Sequence, residues 1–234
     1  MIDIIHDYWR NYLYSDGYNY SGVVVTLWLL VVSAGLGFVL SVPLSVVRAS
    51  SNRFISGPVW LYTYIFRGTP LYVQLLICYS GIYSLDVVRS HAVLNEFFRD
   101  AMNCTLLAFT LHTCAYNTEI FVGAIKATAH GEIEAARAFG MSPFTLYRRV
   151  ILPSALRRAL PAYSNEVVLM LHATSLAFTA TIPEILKVAR DVNSATYRSF
   201  DAFGIAAILY ACIAFALIWM FRRFEHRWLA YLKP

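Results

Sequence analysis

The chain has 234 residues, of which 59% are hydrophobic and only 14% are charged. A soluble domain carries about 25% charged residues, so this composition indicates a membrane protein. The net charge is +5, but the basic residues cluster near the ends of apolar stretches. Because no basic stripe with stacking aromatic residues stands apart from those stretches, a nucleic-acid partner is not expected.

The sequence lacks the motifs of several common catalytic and metal-binding sites. The cysteines Cys78, Cys104, Cys114 and Cys212 lie in or beside apolar runs without a C-x-x-C pair, and the histidines are scattered without ligand spacing, so neither a disulfide framework nor a metal site is predicted. The phosphate-binding pattern G-x-x-x-x-G-K-[ST], the zinc motif H-E-x-x-H and the hydrolase motif G-x-S-x-G are all missing. We therefore predict no catalytic residue and no bound cofactor; if ATP and magnesium drive the protein, a separate subunit must bind them.

The first apolar stretch, residues 22–47, carries no charge. It is long enough to cross about 30 Å of hydrocarbon at a rise of about 1.5 Å per residue. Gly35 and Gly37 permit close contact with another helix, and Pro43 permits a kink. We predict a first membrane span here, preceded by an external segment at 1–21.

The second apolar stretch is interrupted by the run Arg67-Gly68-Thr69-Pro70. Glycine and proline weaken a helix, and proline removes one of its hydrogen bonds. We therefore predict a second span at 57–82 that is broken or bent at Gly68 and Pro70.

Three further apolar stretches complete the predicted bundle. They are the spans 103–124, 159–179 and 203–221, followed by a tail at 224–234. The charges of residues 86–100 balance in sign, which predicts an external loop. Residues 184–192 have the pattern of a short amphipathic helix on the outer face.

Basic residues concentrate after the first, third and fifth spans, whereas the other loops are balanced or acidic. By the positive-inside rule, this pattern places the N-terminus outside and the C-terminus inside. The predicted fold class is an all-α membrane protein of about five transmembrane helices, with residues 131–153 on the cytosolic side.

Residues 131–153 are the only long soluble-looking segment between apolar ones. Residues 132–138 are good helix formers, and Gly140 can end that helix in a left-handed conformation. Ser142 then caps a second short helix, which Pro153 ends. The pattern predicts a compact helix-turn-helix shaped to fit a groove on another protein, although an ordinary amphipathic hairpin between two spans is the alternative.

The sequence of this segment resembles the EAA loop of ABC importer membrane subunits. The match consists of Glu134-Ala135-Ala136, then Gly140, then Val150-Ile151-Leu152-Pro153, with valine where isoleucine is usual. The resemblance implies that this loop forms the coupling helix that docks on a cytosolic ATPase. The coupling residues that it implies are Glu134, Ala135, Ala136, Arg137 and Gly140.

A second resemblance narrows the family. The run FRGTPLYVQL resembles the second-span motif of polar amino-acid ABC permeases. It makes Arg67 and Gln74 candidates for lining a substrate pathway. A lone membrane arginine is equally able to snorkel towards the interface or to form a structural pair.

Two carboxylates lie inside the predicted spans, where a charge is costly and normally pairs, protonates or faces water. Glu119 follows Asn117, and Glu166 follows Asn165. The four residues are further candidates for the substrate pathway, where the carboxylates would attract a cationic substrate. The alternative is structural pairing with the basic residues Arg67, Arg157 or Arg158.

The resemblance covers about residues 20–223 and is closest to the permeases of histidine/lysine/arginine/ornithine importers. It implies a type I ABC importer transmembrane domain in the bacterial inner membrane. The implied partners are a second, related permease subunit, two ATPase subunits below and a periplasmic amino-acid-binding protein above. The implied activity is import of basic amino acids by alternating access.

Two other interpretations stay open on the sequence. One is an ABC permease for neutral or acidic amino acids. The other is a secondary transporter or channel without an ATPase, against which stand the EAA pattern and the odd number of spans.

Overall fold

The computed structural model describes residues 1–228; the segment 229–234, which holds Lys233 and the end of the predicted tail, lies outside the described residues. Within the described range the chain is helical. Its α-helices are α1 (Ile2–Leu13), α2 (Gly22–Arg48), α3 (Arg53–Gly68), α4 (Leu71–Leu76), α5 (Asp86–Ser90), α6 (Ala92–Arg99), α7 (Ala101–Lys126), α8 (His130–Ala138), α9 (Pro143–Leu146), α10 (Leu152–Ala173), α11 (Ile185–Thr196) and α12 (Ser199–Trp228).

The centre of the bundle is the pair α2 and α7, against which α10 also packs. Leu29, Phe109 and Leu171, one from each of these helices, are completely buried. Among the described residues, α2 and α12 are each long and apolar enough to cross a membrane by length and composition. α7 and α10 bury polar side chains within the bundle, among them Asn117 and Glu166.

Gly37 sets the distance between α2 and α7. A Cβ atom on Gly37 would lie 2.9 Å from the Cγ2 atom of Thr113, so only glycine permits this approach. Gly35, the other glycine predicted to permit a contact, has no neighbour within 4 Å of such a Cβ atom. Lipid tails are as apolar as leucine, so close van der Waals contact of this kind is a main force that holds helices together in a membrane.

The predicted break at Gly68 and Pro70 is confirmed, since α3 ends at Gly68 and α4 begins after Pro70. The Nε2 atom of Gln74 donates to the carbonyl oxygens of Phe66 and Thr69, at 2.7 and 3.0 Å. These bonds satisfy carbonyl groups that the broken helix leaves without a helical partner. Beyond α4 the chain continues through a π-helical turn, Ile77–Gly81, and a 3₁₀ turn.

The prediction that Pro153 ends a helix is wrong. The capping is as predicted, because the Ser142 side chain accepts from the backbone N–H of Thr145 at the start of α9. The helix then passes through a π-helical turn, Tyr147–Ile151, directly into α10. A π turn accommodates the proline because it shifts the hydrogen-bond pattern where Pro153 has no N–H to donate.

Of the two segments predicted on the outer face, one is more ordered than predicted and the other is as predicted. Residues 86–100, predicted as a loop, contain the helices α5 and α6. The predicted amphipathic helix after residue 184 is present as α11. It packs against α2 and α12, with Ile185 and Ala189 completely buried.

Candidate functional site: a charged cavity and an exposed coupling segment

A cavity of about 130 Å³ lies between α7 and α10. Residues spaced three or four apart on each helix face it, as expected for one helical stripe. Its lining consists of His112, Tyr116, Glu166, Leu169, Met170 and Ala173. Glu166 is only 7% exposed, so its carboxyl group reaches little solvent other than through this cavity.

A positively charged side chain, that of Arg67, lies beside the cavity. The guanidinium carbon of Arg67 lies 5.4 Å from the centre of the Tyr116 ring, and the Tyr116 hydroxyl lies 3.4 Å from the Arg67 carbonyl oxygen. The site therefore holds an anionic group and a cationic group around one aromatic ring, an arrangement that suits a ligand with both charges.

Gln74 connects the helix break to this cavity. Its Oε1 atom lies 3.2 Å from the Nδ1 atom of His112, while its Nε2 atom binds the backbone at the break. Of the six predicted pathway residues, the structure thus brings Arg67, Gln74 and Glu166 together. It also adds His112 and Tyr116, which the sequence reasoning missed; their one-turn spacing was the available signal.

Glu119 lies elsewhere and has a different environment. Its Oε1 atom accepts from the Nε atom of Arg48 at 3.0 Å and from the Oγ1 atom of Thr63 at 2.7 Å. The three residues come from α7, α2 and α3, so the carboxylate joins three helices. Arg158, one of the basic residues considered as a partner from sequence, instead binds Ser154, Thr128 and the Ala124 carbonyl group.

The two asparagines do not line the cavity. Asn117 is completely buried in α7, and neither its Oδ1 nor its Nδ2 atom has a hydrogen-bond partner among the described residues. Asn165 lies on α10 but lines a separate cavity towards α12.

The coupling segment projects as α8, a turn and α9. Glu134, Ala135, Arg137 and Gly140 are exposed, and Gly140 has the left-handed conformation predicted for it, with φ of 74°. Ala136 is 5% exposed and packs with Ile125, Leu146 and Ile151. It therefore anchors α8 from within, and its side chain is not exposed with those of Glu134 and Ala135.

Two aromatic side chains stand out on the same segment. Phe139 is 86% exposed and Phe144 is 73% exposed. Ile151, at the end of the same segment, is buried instead. Exposed phenylalanines beside an exposed Glu134 are typical of a surface that another protein covers.

These features define a helical membrane protein of the transport-subunit class, with an internal polar site and an exposed helical segment that projects from the bundle. Residues 36–230 match the family described as "Binding-protein-dependent transport system inner membrane component". The chain belongs to this family, and it is therefore an inner-membrane protein of an ABC transporter.

Individual relatives agree with this assignment. The chain is 62% identical over 234 residues to the "Histidine/lysine/arginine/ornithine transport system permease protein HisM" of Escherichia coli (strain K12), covering 100% of this chain and 98% of that protein. It is 44% identical over 197 residues to the "Nopaline transport system permease protein NocM" of Agrobacterium fabrum, covering 84% of this chain and 82% of that protein.

Solved structures have the same fold. A chain of an amino acid ABC transporter superimposes with a TM-score of 0.76 at 29% identity, covering 88% of this chain and 92% of that chain. A chain of the MetNI methionine ABC transporter superimposes with a TM-score of 0.75 at 19% identity, covering 88% and 94%. The fold is that of a type I ABC importer transmembrane domain, as predicted from the EAA pattern.

Proposed function

We propose that this chain is the permease subunit of an importer that moves basic amino acids across the bacterial inner membrane. The observation that carries the proposal is the full-length similarity to a histidine/lysine/arginine/ornithine permease, together with Glu166 in the cavity between α7 and α10. A carboxylate at membrane depth attracts a cationic side chain, and Arg67 beside it suits the carboxylate of an amino acid.

The residues predicted for the pathway have different roles under this proposal. Arg67 and Glu166, with Tyr116 and His112, contact the substrate, and Gln74 holds His112 and the helix break in position. Glu119 and Asn117 serve helix packing, because the first is paired with Arg48 and the second is enclosed between helices. Asn165 faces a separate cavity on the coupling side.

The coupling segment docks on an ATPase subunit, which binds ATP and magnesium; this chain is not an enzyme and binds no cofactor. Docking places α8 on the cytosolic side and the N-terminus outside. Glu134, Arg137 and the two exposed phenylalanines, Phe139 and Phe144, supply the contact surface, while Ala135 permits close approach and Gly140 sets the turn.

The remaining partners follow from the same proposal. A second, related permease forms a heterodimer with this chain and closes the passage, two ATPases dock below, and a periplasmic amino-acid-binding protein delivers substrate above. ATP binding draws the coupling helices together and opens the passage outward, and hydrolysis reverses the change. Each step requires that a ligand bind one state more tightly than the other.

The test compares the two membrane carboxylates in the reconstituted transporter at saturating binding protein. We expect Glu166→Gln to lower arginine uptake about tenfold, the size expected for one lost hydrogen bond to a charge, with an unchanged thermal-denaturation midpoint. Glu119→Gln is the comparison, since we expect it to lower the midpoint. Labelled arginine should be displaced by histidine and not by glutamate.

Two results would count against the proposal. Normal arginine uptake by Glu166→Gln would remove this residue from the substrate path. Displacement of arginine by glutamate or by neutral amino acids as effectively as by histidine would assign the chain to a permease of different specificity.

A further inference from the structure

A second cavity, of about 270 Å³, lies between α10 and α12. Its lining combines apolar side chains with four polar ones. The lining residues are Pro161, Ser164, Asn165, Val168, Ile218, Phe221, Arg222 and Glu225. The volume is just below the roughly 300–1,000 Å³ of pockets for drug-sized ligands, which suits a smaller molecule.

Of the two charged side chains that line this cavity, one accepts a single hydrogen bond and the other has no partner among the described residues. Glu225 accepts a hydrogen bond from the Ser164 hydroxyl, at 2.9 Å. The Arg222 side chain is exposed and makes no hydrogen bond, ion pair or ring contact with another residue of the described range 1–228. A guanidinium that lines a cavity near the membrane without a partner has five N–H donors available to a ligand.

The chemistry of the lining matches one end of an amino acid. Arg222 can bind a carboxylate through two parallel N–H bonds. Glu225 and the Ser164 hydroxyl can accept from an ammonium group. One cation and one anion leave the cavity with no net charge, as a zwitterion requires.

The cavity is distinct from the one that holds Glu166. On α10, Ser164 and Val168 face α12, whereas Glu166 and Met170 face α7. The new cavity also lies nearer to the start of α10, where the chain arrives from the coupling segment. It therefore lies on the side of the bundle where imported substrate would leave.

We propose that this cavity binds the zwitterionic α-amino and α-carboxyl groups of a free amino acid on the coupling side of the passage. The proposal rests on the proposed import of amino acids and deepens it by adding a product-side site. Arg222 takes the carboxylate, and Glu225 with Ser164 takes the ammonium group. The cationic side chain of the substrate is not recognised here, so the site accepts any small zwitterionic amino acid.

The experiment measures ligand protection of a cysteine in the cavity. Val168→Cys is placed in a Cys212→Ala background, since Cys212 is the exposed cysteine of the described residues. The assembled transporter is labelled with a maleimide in inverted membrane vesicles. We expect L-arginine and L-alanine to slow labelling, and agmatine, which is arginine without its carboxylate, to have no effect.

Arg222→Met should raise the L-arginine concentration needed for half-maximal protection about tenfold, the effect of losing one charge-assisted pair. Arg223→Met is the matched control. Arg223 is adjacent but stacks on Trp219 at 5.2 Å outside the cavity, so its removal should leave protection unchanged. Ile218→Cys repeats the measurement from α12 in case Val168→Cys disturbs packing.

Two outcomes would overturn the site: equal protection by agmatine and arginine, or equal loss of protection in the two arginine variants. ATP-driven arginine uptake by the same transporter separates this proposal from the importer proposal. Uptake without protection refutes the site alone, whereas protection by L-alanine without arginine uptake refutes the importer alone.

Discussion

The Nε atom of Arg48 lies 3.0 Å from the Oε1 atom of Glu119, and the two side chains are 20% and 19% exposed. The same oxygen accepts from Thr63, so one carboxylate holds the last turn of α2 and the middle of α3 against α7. Removing one partner from such a group costs more than the pair itself contributes, because the other charge is left without compensation.

We predict that Glu119→Gln destabilises the bundle. A hydrogen bond to a charged group contributes about 1.5–3 kcal/mol, and partial exposure reduces this to about 1–2 kcal/mol. The thermal-denaturation midpoint of the purified transporter should fall by about 2–6 °C. A double-mutant cycle with Arg48→Met should show coupling between the two sites.

The control for this prediction is Glu96→Gln, which removes an exposed carboxylate on α6 and should leave the midpoint unchanged. If Glu119→Gln kept the wild-type midpoint and abolished uptake, Glu119 would belong to the substrate path instead.

Gly35 and Gly37 of α2 give a matched packing test. Gly37→Leu should destabilise the contact with α7, because even the first side-chain atom would lie 2.9 Å from Thr113. Overpacking of this kind costs about 1–3 kcal/mol. Gly35→Leu should be tolerated, since nothing lies within 4 Å of its Cβ position. Thermal midpoint and yield of assembled transporter distinguish the two variants, and equal behaviour would contradict the close approach at Gly37.

The turn after the coupling helix gives a prediction for ATPase docking. Gly140 has φ of 74°, a conformation that costs a β-branched residue about 1–3 kcal/mol. Gly140→Val should therefore displace Phe139 from its position and reduce co-purification of the ATPase. Gly131→Ala is the control, because Gly131 lies in α8 with open space around it.

Glu134→Lys tests the same docking surface without altering the backbone. Reversing the charge of this exposed residue should weaken ATPase binding or separate ATP hydrolysis from uptake. Wild-type uptake together with normal co-purification of the ATPase in both Gly140→Val and Glu134→Lys would show that the segment does not dock.

Local patterns predicted local structure well. The break after Gly68, the left-handed Gly140 and the Ser142 cap each depend on the conformational preference of one residue. Pro153 shows the limit of this reasoning. Its missing N–H led to the prediction that the helix ends there, but a neighbouring π turn changes the hydrogen-bond pattern and the helix continues.

Pairings between helices could not be predicted in this way. Glu119 was expected to pair, if at all, with Arg67, Arg157 or Arg158, and its partner is Arg48, 71 residues away in sequence. Which residues meet depends on how helices rotate about their axes, and a span that is apolar on all sides does not record that rotation. The buried position of Ala136 could not be predicted for the same reason, because it depends on the residues that pack around it in the folded segment.

Glu184 lies between the predicted fourth and fifth spans and is completely buried. Its oxygens accept from the backbone N–H groups of Leu186 and Lys187 at the start of α11, and from the Tyr210 hydroxyl. Burial raises the pKa of this carboxyl from 4.5 to about 7, and the hydrogen bonds only partly oppose the effect.

This raised pKa predicts how stability changes with pH. Between about pH 4.5 and 7 the folded protein binds more protons at Glu184 than the unfolded chain does, so the stabilisation is complete below 4.5 and is lost as pH rises through 7. The thermal midpoint should therefore decline from about pH 5 to 8, and Glu184→Gln, which cannot ionise, should flatten that decline. Glu132→Gln, at an exposed position of α8, should keep the wild-type profile. If Glu184→Gln kept the full pH dependence, another group would control it, and folding would not raise the pKa of this carboxyl.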